Sequence, residues 1–249
     1  MEEVELTVRG LVGDRAHALI DVETGKVLSA KREDLVPRLL DCKAAYVEAP
    51  RAGHELPPVR ITLPNGTVVN SDSPDVDGAL SEYFGRDVRL AGSASAVAPL
   101  LHPGFFAQAG SPIPANVSPF VDLYPVTVIT TATLTRLSEL APASRIDARR
   151  FRMNVIVDMT ETGFPENDWV DRDVALGDDA RLRVTLPDPR CVMTTLAQDD
   201  LQKDGDILRT MVRHNTIEVG TAGPYPCAGV YADVVTAGML RTRDAVVVS

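Results

Sequence analysis

Cysteine is nearly absent from this chain: Cys42, Cys191 and Cys227 are the three in 249 residues, an odd number at wide spacing. Such a set excludes a disulfide framework and a zinc site built from paired Cys-x-x-Cys steps. Histidine is also sparse, with His17, His54, His102 and His214 scattered singly. No His-Glu-x-x-His helix can form from them, and each reads as a surface or packing residue. A Walker loop and a dinucleotide-binding glycine signature are missing too. Basic residues are outnumbered, 25 Lys and Arg against 35 Asp and Glu for a net charge of -10, which disfavours a nucleic-acid partner. No apolar run is long enough to span a bilayer and no charged segment leads into an apolar one at the start, so a cytoplasmic protein without a membrane segment is expected. What is present is ordinary for a folded protein: 45% hydrophobic and 24% charged residues, enough for a sizeable core and with no sign of disorder.

Read in order, short strands dominate. Residues 4–8 and 16–21 are strand-like on either side of a glycine-bracketed turn at 10–15, and a second turn at 23–26 leads into 27–29. Residues 35–40 form a helical turn, 43–47 a strand, and 59–63 with 67–69 a hairpin closed by Asn65-Gly66. Val76, Leu80 and Phe84, four apart, mark one face of a small helix, and 88–90 is a strand again. Pro99, Pro103, Pro112, Pro114 and Pro119 mark a linker or long surface loop. Beyond it, Val126-Thr127-Val128-Ile129 is a β-branched strand, and Thr130 or Thr131 can cap a helix carrying Leu134, Leu137 and Leu140. Residues 154–158, 169–177 and 180–186 read as strands, the last strictly alternating. Residues 201–214 read as a helix with Ile207, Leu208, Met211 and Val212 as its apolar side. Strands at 229–235 and 245–248 flank a turn at Ala237-Gly238. The expected fold is α+β and β-rich, with units over 1–98 and 122–249 and a proline-rich linker or loop over 99–121.

Two stretches carry the chemistry. Arg149, Arg150 and Arg152 lie within four positions, directly before Asn154 and the apolar run Val155-Ile156-Val157. Guanidinium groups fixed at the start of a buried strand suit forked hydrogen bonds to an anion; salt bridging to an acidic surface is the competing reading. In Pro189-Arg190-Cys191-Val192-Met193-Thr194-Thr195 the thiol offers a soft ligand or nucleophile and the threonines offer hydroxyls. For Cys191 the competing reading is a small buried hydrophobe. Arg15, Lys31 and Arg32 read from spacing alone as surface charge beside strands.

Through these residues the chain resembles the MOSC-domain proteins, the family related to the C-terminal domain of molybdenum cofactor sulfurase and to the amidoxime-reducing component. Gly10-Leu11-Val12-Gly13-Asp14-Arg15 with Lys31-Arg32 resembles the family's N-terminal β-barrel subdomain. Asp122-Leu123-Tyr124-Pro125-Val126 leading to Thr130-Thr131, then Arg150-Phe151-Arg152-Met153-Asn154, Trp169, Leu176-Gly177 and Arg190-Cys191 resemble the MOSC domain in order and spacing. The resemblance implies a MOSC-like β-barrel with short helices over 122–249 and a smaller N-terminal β subdomain over 1–98. Two departures stand out. The family's usual opening strand, with a Tyr-Pro-Val-Lys-Ser-like motif, would lie before the point at which this sequence starts, and Met153 replaces the proline of the family's Arg-Phe-Arg-Pro-Asn.

What the resemblance implies is a molybdopterin-type molybdenum cofactor with Cys191 as its thiolate ligand and reacting centre. Arg150, Arg152 and Asn154 would meet phosphate or pterin, Arg15, Lys31 and Arg32 would approach from the first subdomain, and Thr130, Thr131, Arg190 and Thr194 would line the site. The implied activity is an oxidoreductase that reduces small N-hydroxylated substrates with electrons from a separate donor protein. Two alternatives stand beside it: a cysteine-based sulfur carrier or transfer protein, and a MOSC scaffold turned to a specialised pathway without molybdenum.

Overall fold

The computed structural model describes residues 3–92, 120 and 123–249; apart from Phe120, the expected linker at 99–121 lies outside them. In chain order the elements are β1 (Glu3–Thr7), β2 (Gly10–Leu11), β3 (His17–Asp21), β4 (Lys43–Tyr46), β5 (Val59–Thr62), β6 (Val68–Asn70), α1 (Val76–Phe84) and β7 (Val88–Gly92). After the undescribed residues come β8 (Val126–Thr130), α2 (Thr131–Leu140), β9 (Val155–Val157), β10 (Asp173–Leu176) and β11 (Ala180–Pro189). Then follow α3 (Asp206–His214), β12 (Thr216–Glu218), β13 (Pro224–Thr236), β14 (Gly238–Arg241) and β15 (Val246–Val248). The fold is α+β and β-rich, as expected.

Its centre is a near-closed barrel sheet in the order β15-β10-β11-β13-β8-β9, with β12 paired to β13. All its pairs are antiparallel except β8 with β9. Alternation decides which way β11 faces: Ala180, Leu182 and Val184 are buried while Arg181 and Arg183 are exposed, as a period of two requires. The inward residues join Val126, Val128, Val174, Leu176, Val230 and Ala232 in one core. β8 is buried at all five positions, because its outer face is covered as well: Ile129 packs with Leu137 of α2, with Ile207 and Met211 of α3, and with Phe151. Among the described residues the sheet's edges, β9 and β15, border a groove of about 980 Å³.

Before Gly92, the β3–β7 pair and the β4–β5–β6 sheet share a core with α1 through Leu19, Ile61, Leu63, Leu80 and Phe84. The Asn65-Gly66 turn forms as its chemistry predicts: Gly66 has φ +89, and Asn65 Oδ1 accepts from the Thr67 amide at 3.0 Å. β1, although early in the chain, pairs with β14 on one side and β2 on the other.

Several elements differ from their sequence expectation. Val27 makes a single bridge with Ile20 instead of opening a strand. The strand expected from 169 begins only at Asp173, because Trp169 is the buried end of a 3-10 helix, Pro165–Trp169. The helix expected from 201 starts at Asp206, and its buried face is Ile207, Thr210 and Met211, spaced three and four apart, which leaves Val212 52% exposed. At the turn expected at Ala237-Gly238, Gly238 instead opens β14. The chain leaves the barrel sheet there to pair with β1, and β15 then returns to β10.

Candidate functional site: a cationic cleft beside Cys191

The site begins with two prolines inside β11. Pro187 and Pro189 cannot donate to a ladder, and strands carry proline at bulges and edges. The pairing of β11 with β13 shifts register between Pro187 and Pro189, and the chain leaves the sheet just after. The Arg190 amide is held by the Pro226 carbonyl at 2.7 Å. Cys191 then precedes a 3-10 helix, Val192–Thr195. Its own carbonyl accepts from the Thr194 amide at 3.2 Å and the Thr194 hydroxyl at 3.1 Å, so the backbone beneath the thiol is fixed while the side chain stays exposed. The other two thiols are withdrawn. Burial pushes Cys42 up to about 11 and Cys227 up to about 12, and Cys227 donates to the Tyr225 carbonyl at 3.3 Å.

A cleft of about 100 Å³ lies against Cys191, lined by Arg15, Lys31, Arg152 and Arg190 and by Tyr124 and Tyr231, whose rings stack 5.5 Å apart. Arg15 and Arg152 both adopt left-handed backbone, with φ 45 and 55, a conformation that costs a non-glycine residue about 1–3 kcal/mol and survives where surrounding contacts hold it. Those contacts are present. Arg15 Nη2 donates to the Arg152 carbonyl at 2.9 Å. Asp14 accepts from Arg15 Nη1 and, at 2.8 Å, from Asn154 Nδ2. Asn154 in turn accepts at its Oδ1 from the Thr127 amide at 3.0 Å and hydroxyl at 2.9 Å. The early turn at 10–15 is thereby fastened to β8.

Arg190 is fixed in a different way. Its Nη1 pairs with the buried Asp188, its Nη2 donates to the Phe151 carbonyl at 2.6 Å, and the guanidinium stands 5.6 Å from the Phe151 ring centroid. Its buried Nε has no hydrogen-bond partner. Arg190 thus adds positive charge to the cleft wall, while its Nε lies buried beneath it. A second polar cleft, of about 360 Å³, shares Arg15 and Arg152 and adds Asp14, Lys43, Arg149, Asn154 and Asp199.

Of the residues expected at the site, Arg15, Lys31, Arg152, Arg190 and Cys191 therefore meet, and Asn154 supports them from the adjoining cleft. The others are placed elsewhere. Arg150 is 2% exposed and spends its guanidinium on the carbonyls of Arg145, Leu196 and Gln202 at 3.1, 3.1 and 2.8 Å. Arg149 joins a surface ion network with Asp147 and Asp200, as the competing reading had it. Thr130 is fully buried and caps α2 through the Thr133 amide at 3.1 Å. Thr131 donates to Asp158 at 3.0 Å, Thr194 is buried, and Arg32 pairs with Asp34 at 2.8 Å on the surface. Sequence reasoning missed Asp14 and Asp188, the acids that fix Arg15 and Arg190. The signal for Asp188 was its position two before Arg190 at a strand end, where i and i+2 share a side.

Comparison with known proteins places this site in context. A family model described as the MOSC domain matches residues 117–247. Among solved structures, the crystal structure of YiiM from Geobacillus stearothermophilus is similar at 17% identity and a TM-score of 0.34, over 51% of this chain and 54% of that one. The match thus spans about half the length of that protein. No curated protein matches the chain.

Proposed function

This chain belongs to the MOSC-domain family, and from that premise we propose that Cys191 is its working group: a thiol that takes up and hands on sulfur beside a cleft for an anionic ligand. The observation that carries this is the exposed thiol in a wall that holds Arg15, Lys31, Arg152 and Arg190. In the uptake step Cys191 attacks the outer sulfur of a donor persulfide. The donor's S–S bond breaks, the donor leaves as a thiolate, and Cys191 keeps the sulfane sulfur as its own persulfide. The cleft cations would hold the anionic part of the acceptor while that sulfur is passed on.

A second reading rests on the same cations. Among the described residues no three His, Cys, Asp or Glu side chains gather as a metal site, so Cys191 would be the soft protein donor and an organic cofactor would bring the remaining ligands. The donor set fits a molybdopterin-type group in kind: a thiol for the metal, and the positive charge of Arg15, Lys31, Arg152 and Arg190 for a phosphate. Such a group, when bound, supplies two-electron redox chemistry, and the protein would then be a reductase of small N-hydroxylated substrates served by a separate electron donor. In that reading the chain's own residues hold and orient the cofactor.

Near-stoichiometric cysteine persulfide followed by intact-mass spectrometry separates the readings. Wild-type protein should gain the mass of one sulfur atom and Cys191→Ser should gain none, with peptide mapping leaving Cys42 and Cys227 unmodified. Equal uptake by Cys191→Ser would overturn sulfur handling at this residue. Stoichiometric molybdenum in protein from a host that makes the cofactor, lost in Cys191→Ser, would move the assignment to the second reading.

A further inference from the structure

A cleft open to solvent at Lys43 and Ala44 lies between the β3–β7 pair and the β4–β5–β6 sheet. Directly opposed residues of an antiparallel pair share a face, so Leu19 with Leu90 and Ala44 with Ile61 each present one side of their sheet. All four line a cavity of about 540 Å³, with Leu80 and Phe84 of α1 also in its wall. Packed interiors hold few voids larger than a water molecule, whereas ligand cavities of about 300–1,000 Å³ have mostly apolar walls and a few placed polar groups. The polar part of this wall contains Arg15 and Arg152, and both also line the Cys191 cleft, as does Met193. Lys43, paired with Asp199 at 3.1 Å, and Asp14, paired with Arg15, complete the charged part of the wall.

We propose that this cavity seats the apolar tail of the molecule whose head meets Cys191: an amphiphile with an aliphatic or aryl tail and an anionic, oxygen-bearing head held near Arg15 and Arg152. The inference rests on the reading of Cys191 as the working group and adds the class of molecule it acts on. The small, exposed side chain of Ala44 opposite buried Ile61 leaves room that a larger residue there would occupy.

The test is calorimetric titration of the whole protein with straight-chain carboxylates from butanoate to decanoate. Each added methylene should tighten Kd about fourfold until the cavity is full. Ala44→Phe should flatten the series and weaken decanoate about tenfold or more, and Ser29→Phe, from another part of the wall, should do the same. Unchanged melting of either variant shows that the fold is intact. Decanoate should also slow alkylation of Cys191 by iodoacetamide in wild-type protein, read by peptide mapping. Affinity independent of chain length, a series untouched by both folded variants, or tail binding that leaves Cys191 equally reactive would each overturn the proposal. If tail binding and thiol protection hold while no persulfide forms, the sulfur reading fails and the amphiphile site stands.

Discussion

Arg150 shows what a guanidinium does when its partners are main-chain carbonyls instead of a ligand. It is 2% exposed, and Arg150→Ala would take the donor from the carbonyls of Arg145, Leu196 and Gln202, of which that of Leu196 is buried. The expected loss is about 3 kcal/mol or more, read by urea denaturation. Arg152→Gln, two positions on at an exposed residue, should cost less stability than Arg150→Ala while weakening carboxylate binding at the cleft. A stable Arg150→Ala protein with ligand binding lost would reverse these roles. Glu166 is the other residue whose burial decides its behaviour. It is fully buried, its Oε2 accepts from Thr130 at 2.7 Å, and its Oε1 has no partner. Burial raises its pKa above the ordinary 4.5, so the native state keeps this proton at pH values where the unfolded chain has released it. Stability therefore falls as pH rises from 4.5 through the folded value. Glu166→Gln should match wild type below that window and exceed it at pH 7, in chemical denaturation across pH. A variant weaker than wild type at pH 7 would show that the ionised carboxylate is wanted.

Among the elements, β8 and α2 were legible because their signals are local: a β-branched run, then a threonine placed to cap, then leucines at helical spacing. Whether Thr130 caps or meets a ligand was not legible, since that depends on Glu166 and the barrel wall closing over it. Thr130→Ala should lower stability by about 2 kcal/mol through loss of the cap, while Thr130→Ser keeps both of its hydrogen bonds; thermal unfolding of the pair checks this. The three arginines at 149, 150 and 152 were readable as a cluster, but their three separate fates were not. A short 3-10 turn, Ala148–Arg150, and the left-handed Arg152 aim them in different directions, and nothing in the local sequence announces either. Gly229 is a similar case. Its φ of +84 and the 2.6 Å that would separate an added Cβ from the Val128 carbonyl make glycine necessary in the middle of β13, whereas the sequence pattern only opens a strand there.

For the molecule as a whole, stability against pH is shaped from both sides. Hydrogen bonds from Arg86 and Thr24 hold the Asp21 carboxyl down at about 2, so their stabilisation is complete above its ordinary 3.8 and is lost as pH falls through about 2. Glu166 acts in the opposite sense above 4.5. Arg86→Leu should move acid unfolding to higher pH without altering the neutral slope, and Glu166→Gln should flatten the neutral slope without altering acid unfolding. No helix among the described residues is long and apolar enough to cross a membrane. The β-rich class was readable from strand patterns, but the cleft joins Arg15, Arg152 and Cys191 across most of the chain, and spacing alone left Arg15 as surface charge. What brought it to the site was Asp14, which bonds both Arg15 and Asn154.

The pairing of Glu3 with Arg241 and Val4 with Leu240 bears on the order in which the protein can be made. Leu6 is 1% exposed and shares the barrel core with Leu240, so on the ribosome β1 waits for β14 before its apolar side is covered. At roughly 5–20 residues per second that wait lasts on the order of tens of seconds, far longer than a hairpin needs to close. β1 is thus a segment whose apolar side a nascent-chain chaperone would cover until β14 emerges.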